Sequence, residues 1–249
     1  MNNFIGSIWK QNCGDSLIIL EKTNKQDKDK SFFYRCQFQK YPYEILACSC
    51  EIKAGRLANP FYPSVCGVGT MGIGFTSQTN KKEYEIWHSI LKRCYKENSY
   101  NYKNYGAKGI TVCEEWLNFQ NFVNWINKNK YGDKYTVDKD VLSNIQHKEL
   151  KIYSPETCLI LPEDINVWLA GDNLSVGVRL VKSGNFCSKI GYNYKEKSLG
   201  TYSTFWEAKQ IYAKEKYEIW KELIDKYTIP SDIKNILLKY DFSWYWLNK

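Results

Sequence analysis

The chain has 249 residues and a formal net charge of +8, with 35 Lys and Arg against 27 Asp and Glu. That length allows one large domain or two to three small ones at roughly 100 to 200 residues each, and the basic surplus favours a polyanionic partner without identifying one. Aromatic residues make up 16% of the chain, enough for buried cores, which excludes a disordered basic tail.

No run approaches the roughly 18 consecutive apolar residues of a membrane span. The first ten residues also lack a charged segment followed by an apolar one. A cytoplasmic protein without a membrane partner is therefore expected. The nine cysteines are odd in number and scattered from Cys13 to Cys187, which suits reduced thiols used as small apolar core residues. Cys13, Cys36, Cys48 and Cys50 include a C-x-C pair but lack two C-x2-C knuckles, so zinc is not expected.

In chain order, Ser16 to Leu20, Phe32 to Gln39 and Ile45 to Ile52 alternate in polarity around polar segments such as Thr23 to Lys30. This pattern predicts a small antiparallel β unit. Cys66 to Gly74 contains G-x-G-x-x-G at Gly67, Gly69 and Gly72. Pro63 precedes it and polar loop follows it, so a dinucleotide-binding turn is rejected. The segment is expected to be a flexible linker or an arm crossing a groove.

A helix is predicted from Asn80, where Asn80 and Glu83 have the spacing of a capping box and Tyr84, Trp87, Leu91, Cys94 and Tyr95 recur at helical intervals. A Gly-punctuated turn at Tyr105 to Gly109 and a short strand from Ile110 to Cys113 lead to a second helix. Trp116, Phe119, Phe122, Val123 and Ile126 form its core face.

Tyr135 to Leu142, a loop, Thr157 to Pro162 and Glu163 to Leu169 read as strand, loop, strand and short helix. That order resembles the ββα metal finger of HNH endonucleases. The ordered positions Tyr84, Trp87, Arg93 to Tyr95, Tyr105-Gly106, Gly109 to Cys113, Trp116, Phe119, Phe122, Asp138 to Asp140 and Tyr153 to Cys158 resemble the HNH-type proteins of bacteriophages over about residues 60 to 170. The resemblance implies a Mg²⁺ or Mn²⁺ ion held by Asp138 and Asn166, with a base beside Asp138 activating water. Here the base position is Lys139 and the central Asn of the pattern is Thr157. A lysine ammonium, with an ordinary pKa of about 10.4, is a poor base at neutral pH. His147, in the intervening loop, is the alternative candidate base.

Val176 to Val181, Phe186 to Tyr192 and Ser198 to Tyr202 are predicted strands, and Thr204 with Glu207 forms a capping box opening a long helix. Gly177-Val-Arg179, Phe186, Ile190, Leu199-Gly-Thr201, Thr204, Glu207-Ala208 and Tyr212 resemble the plant ethylene-response-factor (APETALA-type) DNA-binding domain. Its three-stranded sheet enters the major groove with the helix behind. By alternation, Ile190 and Leu199 face the helix while Lys189 and Ser198 face out. From Arg179 to Tyr202 there are five basic residues and one acidic, a net +4. Two positions where the family carries DNA-contacting arginines are Gly191 and Glu196 here. Arg179 carries over directly, with Lys182, Lys189, Lys195 and Lys197 as candidate phosphate contacts. Phe242, Trp244, Tyr245 and Trp246 are expected to pack back on the body.

The expectation is an α+β protein: a β unit over residues 1–65, a Gly-rich linker and HNH-like ββα module with flanking helices over 66–171, and an APETALA-type antiparallel sheet plus long helix over 172–249. The two resemblances imply a phage-type protein related to homing endonucleases, acting on double-stranded DNA in a host bacterial cytoplasm. DNA binding without efficient cleavage is the leading expectation. Active nicking or cleavage, and inhibition of a host protein, are the alternatives.

Overall fold

In a computed structural model, which describes residues 4–169, 177–193 and 195–243, the chain divides into two units, Met1–Asn127 and Lys128–Lys249. Both mix helix and antiparallel strand, so the fold class is α+β. Among the described residues, no helix is long and apolar enough to cross a membrane. The expected boundaries at 65/66 and 171/172 do not coincide with the division at 127/128, for reasons visible in the packing of each unit.

The first unit begins with a four-stranded antiparallel sheet in sequential order, β1 (Ile8–Lys10), β2 (Ser16–Gln26), β3 (Phe32–Phe38) and β4 (Tyr43–Cys48). Alternation buries Leu17 and Ile19 of β2 against Cys36 and Phe38 of β3. The predicted third strand stops at Cys48, and α1 (Ser49–Ala54) follows, placing Ile52 in the same core.

The Gly-rich segment is not a free linker. Val65 and Gly69 form an antiparallel bridge, and Thr70 exchanges backbone hydrogen bonds with the segment 117–119. The Gln120 carboxamide accepts from Phe75 N at 2.7 Å and donates to Phe75 O at 3.0 Å. A Cβ at Gly69 would stand 2.5 Å from Leu91 Cδ1 and 2.9 Å from the Trp87 indole. Glycine is required there because the strap lies directly on α2 (Lys81–Tyr95).

Helix α2 buries Trp87, Ile90, Leu91 and Cys94, and Trp87 Nε1 donates to Trp116 O at 2.6 Å. The expected capping box is absent: Asn80 is the N-cap without a side-chain capping bond, and its Oδ1 accepts from the Thr79 hydroxyl instead. Trp116 sits in a short 3-10 turn ahead of α3 (Phe119–Asn129), whose Phe119, Phe122, Val123 and Ile126 are fully buried.

The second unit starts with a two-stranded antiparallel pair, β5 (Tyr135–Asp138) and β6 (Leu159–Pro162), with Asp138 opposite Leu159. The predicted first strand, drawn to Leu142, ends at Asp138. Its Oδ1 accepts from the backbone N–H of Asp140 and of Val141, both at 2.9 Å, and so opens α4 (Asp140–Ile145). Helix α5 (Glu163–Leu169) follows β6 without a break.

A three-stranded antiparallel sheet then forms from β7 (Val178–Leu180), β8 (Phe186–Tyr192) and β9 (Lys195–Tyr202), with β8 central. The 21-residue α6 (Phe205–Asp225) opens on the predicted capping box: Thr204 accepts from Glu207 N, and Glu207 reaches back to Thr204 N. Helix α7 (Ser231–Leu237) closes the described structure. Val176, the boundary residue Asp172, and Trp244, Tyr245 and Trp246 lie outside the described residues. Phe242 is buried, as expected.

One apolar cluster joins Val141, Leu159, Leu161 and Ile165 of the segment from β5 to α5 with Ile190, Tyr212, Trp220 and Leu223 of the sheet-and-helix part. The expected boundary near residue 172 therefore cuts through a shared core.

Candidate nucleic-acid interface

The sheet β7–β9 has two unlike faces. Residues directly opposite each other on antiparallel strands point to the same side. Val178, Ser188 and Gly200 form one such row and Arg179, Cys187 and Thr201 the next. Ile190 belongs to the core against α6, so the α6-ward side of β8 carries Phe186, Ser188, Ile190 and Tyr192. Its outer side carries Cys187, Lys189 and Gly191.

The pairing register shifts between Ser188 and Lys189, which oppose Gly200 and Ser198. Leu199 is thus an extra residue on β9, and Gly200 beside it has φ +121°. This is a β-bulge, and it reverses the alternation of everything before it. Lys197 falls opposite Ile190 and Lys195 opposite Tyr192. Both lysines consequently share the α6-ward side, and Lys197 Nζ pairs with Glu215 of α6 at 2.6 Å.

The five candidate cations are therefore not gathered on one face. Exposed Arg179 and half-buried Lys189 share the outer face, and exposed Lys182 occupies the β7–β8 turn beside it. Lys189 Nζ pairs with Glu196 at 2.6 Å. Hydrogen bonding and charge from Lys189, with Arg179 at longer range, hold the Glu196 carboxyl below the usual carboxylate range. Glu196 is well exposed, and solvent screens pairs of this kind so that they contribute little. A phosphate can displace Glu196 from Lys189 at small cost. The Leu199-Gly200 pair was the sequence signal for the bulge, since glycine inside a strand often marks one. Glu215, a heptad away from Ala208, left no such signal.

The residues expected to form a metal finger lie around β5, α4, the loop before β6 and α5. Asp138 is half-buried at the end of β5. Burial and the neighbouring Asp140 carboxylate push its carboxyl above the ordinary range, against the two backbone N–H bonds. Lys139 is only 6% exposed. Its ammonium is bound by the Asp140 carboxylate and stands 5.9 Å from the Tyr153 ring centroid. Neither a base nor an open phosphate anchor results, because a paired, buried ammonium has no proton-accepting lone pair and little access to a ligand.

His147 follows α4 in a positive-φ turn, with Nε2 3.9 Å from Asp241 Oδ2. The six residues of α4, about 9 Å at 1.5 Å each, separate that turn from the end capped by Asp138. The structure does not bring His147 to Asp138. Asn166 is half-buried on α5. Thr157, at the central position of the pattern, stitches the loop: its hydroxyl donates to Ile152 O at 2.6 Å and accepts from Ser154 N at 3.0 Å. A hydroxyl so engaged offers no acid–base group.

These residues fit a catalytic Mg²⁺ or Mn²⁺ poorly. One Asp138 oxygen is committed to the helix N-terminus and the adjacent residue is a buried cation, which opposes a second cation. No protein-family model matches the chain, and no curated protein or solved structure matches it either.

Proposed function

We propose that this protein binds double-stranded DNA through the outer face of β7–β9, with an HNH-like part that does not cleave efficiently. The observation that carries this reading is the position of Arg179. It is exposed on the face turned away from α6, with Lys189 and the Lys182 turn beside it. A narrow antiparallel sheet backed by a helix has the dimensions to enter the major groove, and an arginine fork can read guanine there. The resemblance to the APETALA-type domain, carried by Gly177-Val-Arg179 and Leu199-Gly-Thr201, points the same way. The state of Lys139 and the distance of His147 support binding without cleavage.

A mobility-shift titration against a pool of random duplexes tests the reading. Binding is expected to fall steeply with salt, as release of condensed counterions requires. A combined Arg179, Lys182 and Lys189 alanine variant should lose most affinity, whereas a combined Lys195 and Lys197 variant should lose little. Equal losses in the two variants would refute the face assignment. No binding at low salt would refute DNA as the partner and favour a protein target.

A further inference from the structure

In the first unit, three side chains with metal-ligating atoms converge from two separate turns. Asp27 ends the β2 side of the β2–β3 turn, and its Oδ1 is fixed by the backbone N–H groups of Asp29 and Ser31 at 2.9 and 2.8 Å. That leaves Oδ2 directed at Cys48, whose Sγ donates to it at 3.1 Å. Cys48 is the last residue of β4, opposite Phe33, and Cys50 stands in the first turn of α1. The two sulfurs are 2.8 Å apart. All three ligand atoms lie within 4.8 Å of one another.

We propose that Asp27, Cys48 and Cys50 form a binding site for a thiophilic divalent cation of the zinc type, separate from the DNA-binding sheet. A tetrahedral ion with Zn–S of about 2.3 Å and Zn–O of about 2.0 to 2.2 Å wants its sulfurs about 3.8 Å apart and sulfur to oxygen about 3.5 Å apart. The observed separations are shorter, so the ion requires the thiols to open by about 1 Å. Cys50 is exposed, and rotation of its side chain supplies that movement without displacing the sheet. Cys48 and Asp27 are already set by β-pairing and by the turn.

Two sulfurs and one carboxylate select a borderline-soft ion over Mg²⁺ or Ca²⁺, which take oxygen ligands. Binding converts both thiols to thiolates, so each ion taken up releases two protons and leaves a site of net charge −1. Three protein ligands leave the fourth position to water. The ion would clamp the β2–β3 turn to the β4–α1 corner, stabilising the unit by linkage.

The test uses the full-length protein, reduced and kept free of oxygen, titrated with Co²⁺ as a spectroscopic probe. One equivalent is expected to give a thiolate-to-cobalt charge-transfer band that Zn²⁺ abolishes, with two protons released per ion in weak buffer and a rise in melting temperature. Cys50→Ser, at an exposed position and checked for native circular dichroism, should lose most of the band. Asp27→Asn should weaken binding by about tenfold or more. Absence of the band in the wild type overturns the proposal. So does a band of undiminished strength in Cys50→Ser, which would place the metal on other cysteines.

Discussion

The Asn144 carboxamide donates to Asp241 O at 2.7 Å and accepts from Asp241 N at 2.8 Å, joining α4 to the segment after α7 as closely as two paired strands. Asn144 is fully buried and Asp241 half-buried, so both bonds are largely shielded from water. The segment from β5 to α5 and the C-terminal part thus share a polar tie as well as an apolar core.

Asn144→Ala removes both bonds and strands a backbone donor and acceptor. At about 1 to 3 kcal/mol for each buried group left unsatisfied, the second unit should lose roughly 2 to 6 kcal/mol in urea unfolding. A chain truncated after residue 171 should go further and expose Val141, Leu161 and Ile165. Its residues 128–171 are expected to show no cooperative melt of their own and strong binding of a hydrophobic dye. A cooperative transition retained by those residues would show that the shared core is dispensable.

Gly177 stands at φ +78°, and a Cβ there would overlap the Tyr212 ring. Gly177→Ala combines left-handed strain with a clash at the β7–α6 contact, a cost of about 2 to 4 kcal/mol. Melting temperature should drop sharply, while Gly184→Ala, also at positive φ but with open space around it, should cost much less. Similar losses in the two variants would mean that backbone strain alone, not the approach of Tyr212, sets the requirement.

The raised carboxyl of Asp138 has a signed consequence for stability against pH. A carboxyl whose folded pKa exceeds its unfolded value of about 3.9 holds its proton longer in the native state. The native state then binds more protons than the unfolded one above that pH, so this contribution to stability declines as pH rises from about 4 toward neutrality. Asp138→Asn, which keeps the capping oxygen, should gain stability relative to the wild type across that interval. Parallel stability curves for the two proteins would show that Asp138 titrates normally.

Supercoiled plasmid incubated with the wild type and Mg²⁺ or Mn²⁺ should remain supercoiled over hours. A general base typically contributes about 10² to 10⁴-fold, and neither Lys139 nor His147 is placed to act as one. Lys139→His supplies an imidazole beside Asp138 and is expected to raise nicking above the wild-type background. Fast nicking by the wild type that disappears in Asp138→Ala would establish an active nuclease and overturn the reading of a silent site.

Much of this structure is legible in short stretches of sequence. Thr204 and Glu207 cap α6 as their spacing predicts, and Leu17 and Ile19 fill the first sheet by simple alternation. The weakness of Lys139 as a base is a matter of residue type, and the order of β5, β6 and α5 follows from local periodicity. These features depend on groups within a turn or two of each other, where geometry is fixed by the chain itself.

The tertiary structure decided what depends on distant partners. Glycines that read as a linker became a strap because Trp87 and Leu91 offer a surface that only a residue without a side chain can approach. Counted from Gly200, which lies opposite Ser188, a strict period of two would turn Lys195 and Lys197 outward, and the one extra residue at Leu199 keeps them on the α6-ward side. Asp27 met Cys48 and Cys50 only when β2, β3 and β4 took their register. The boundary near residue 172 disappeared because apolar residues on either side of it bury one another, and that choice of partner is made by packing rather than by any local signal.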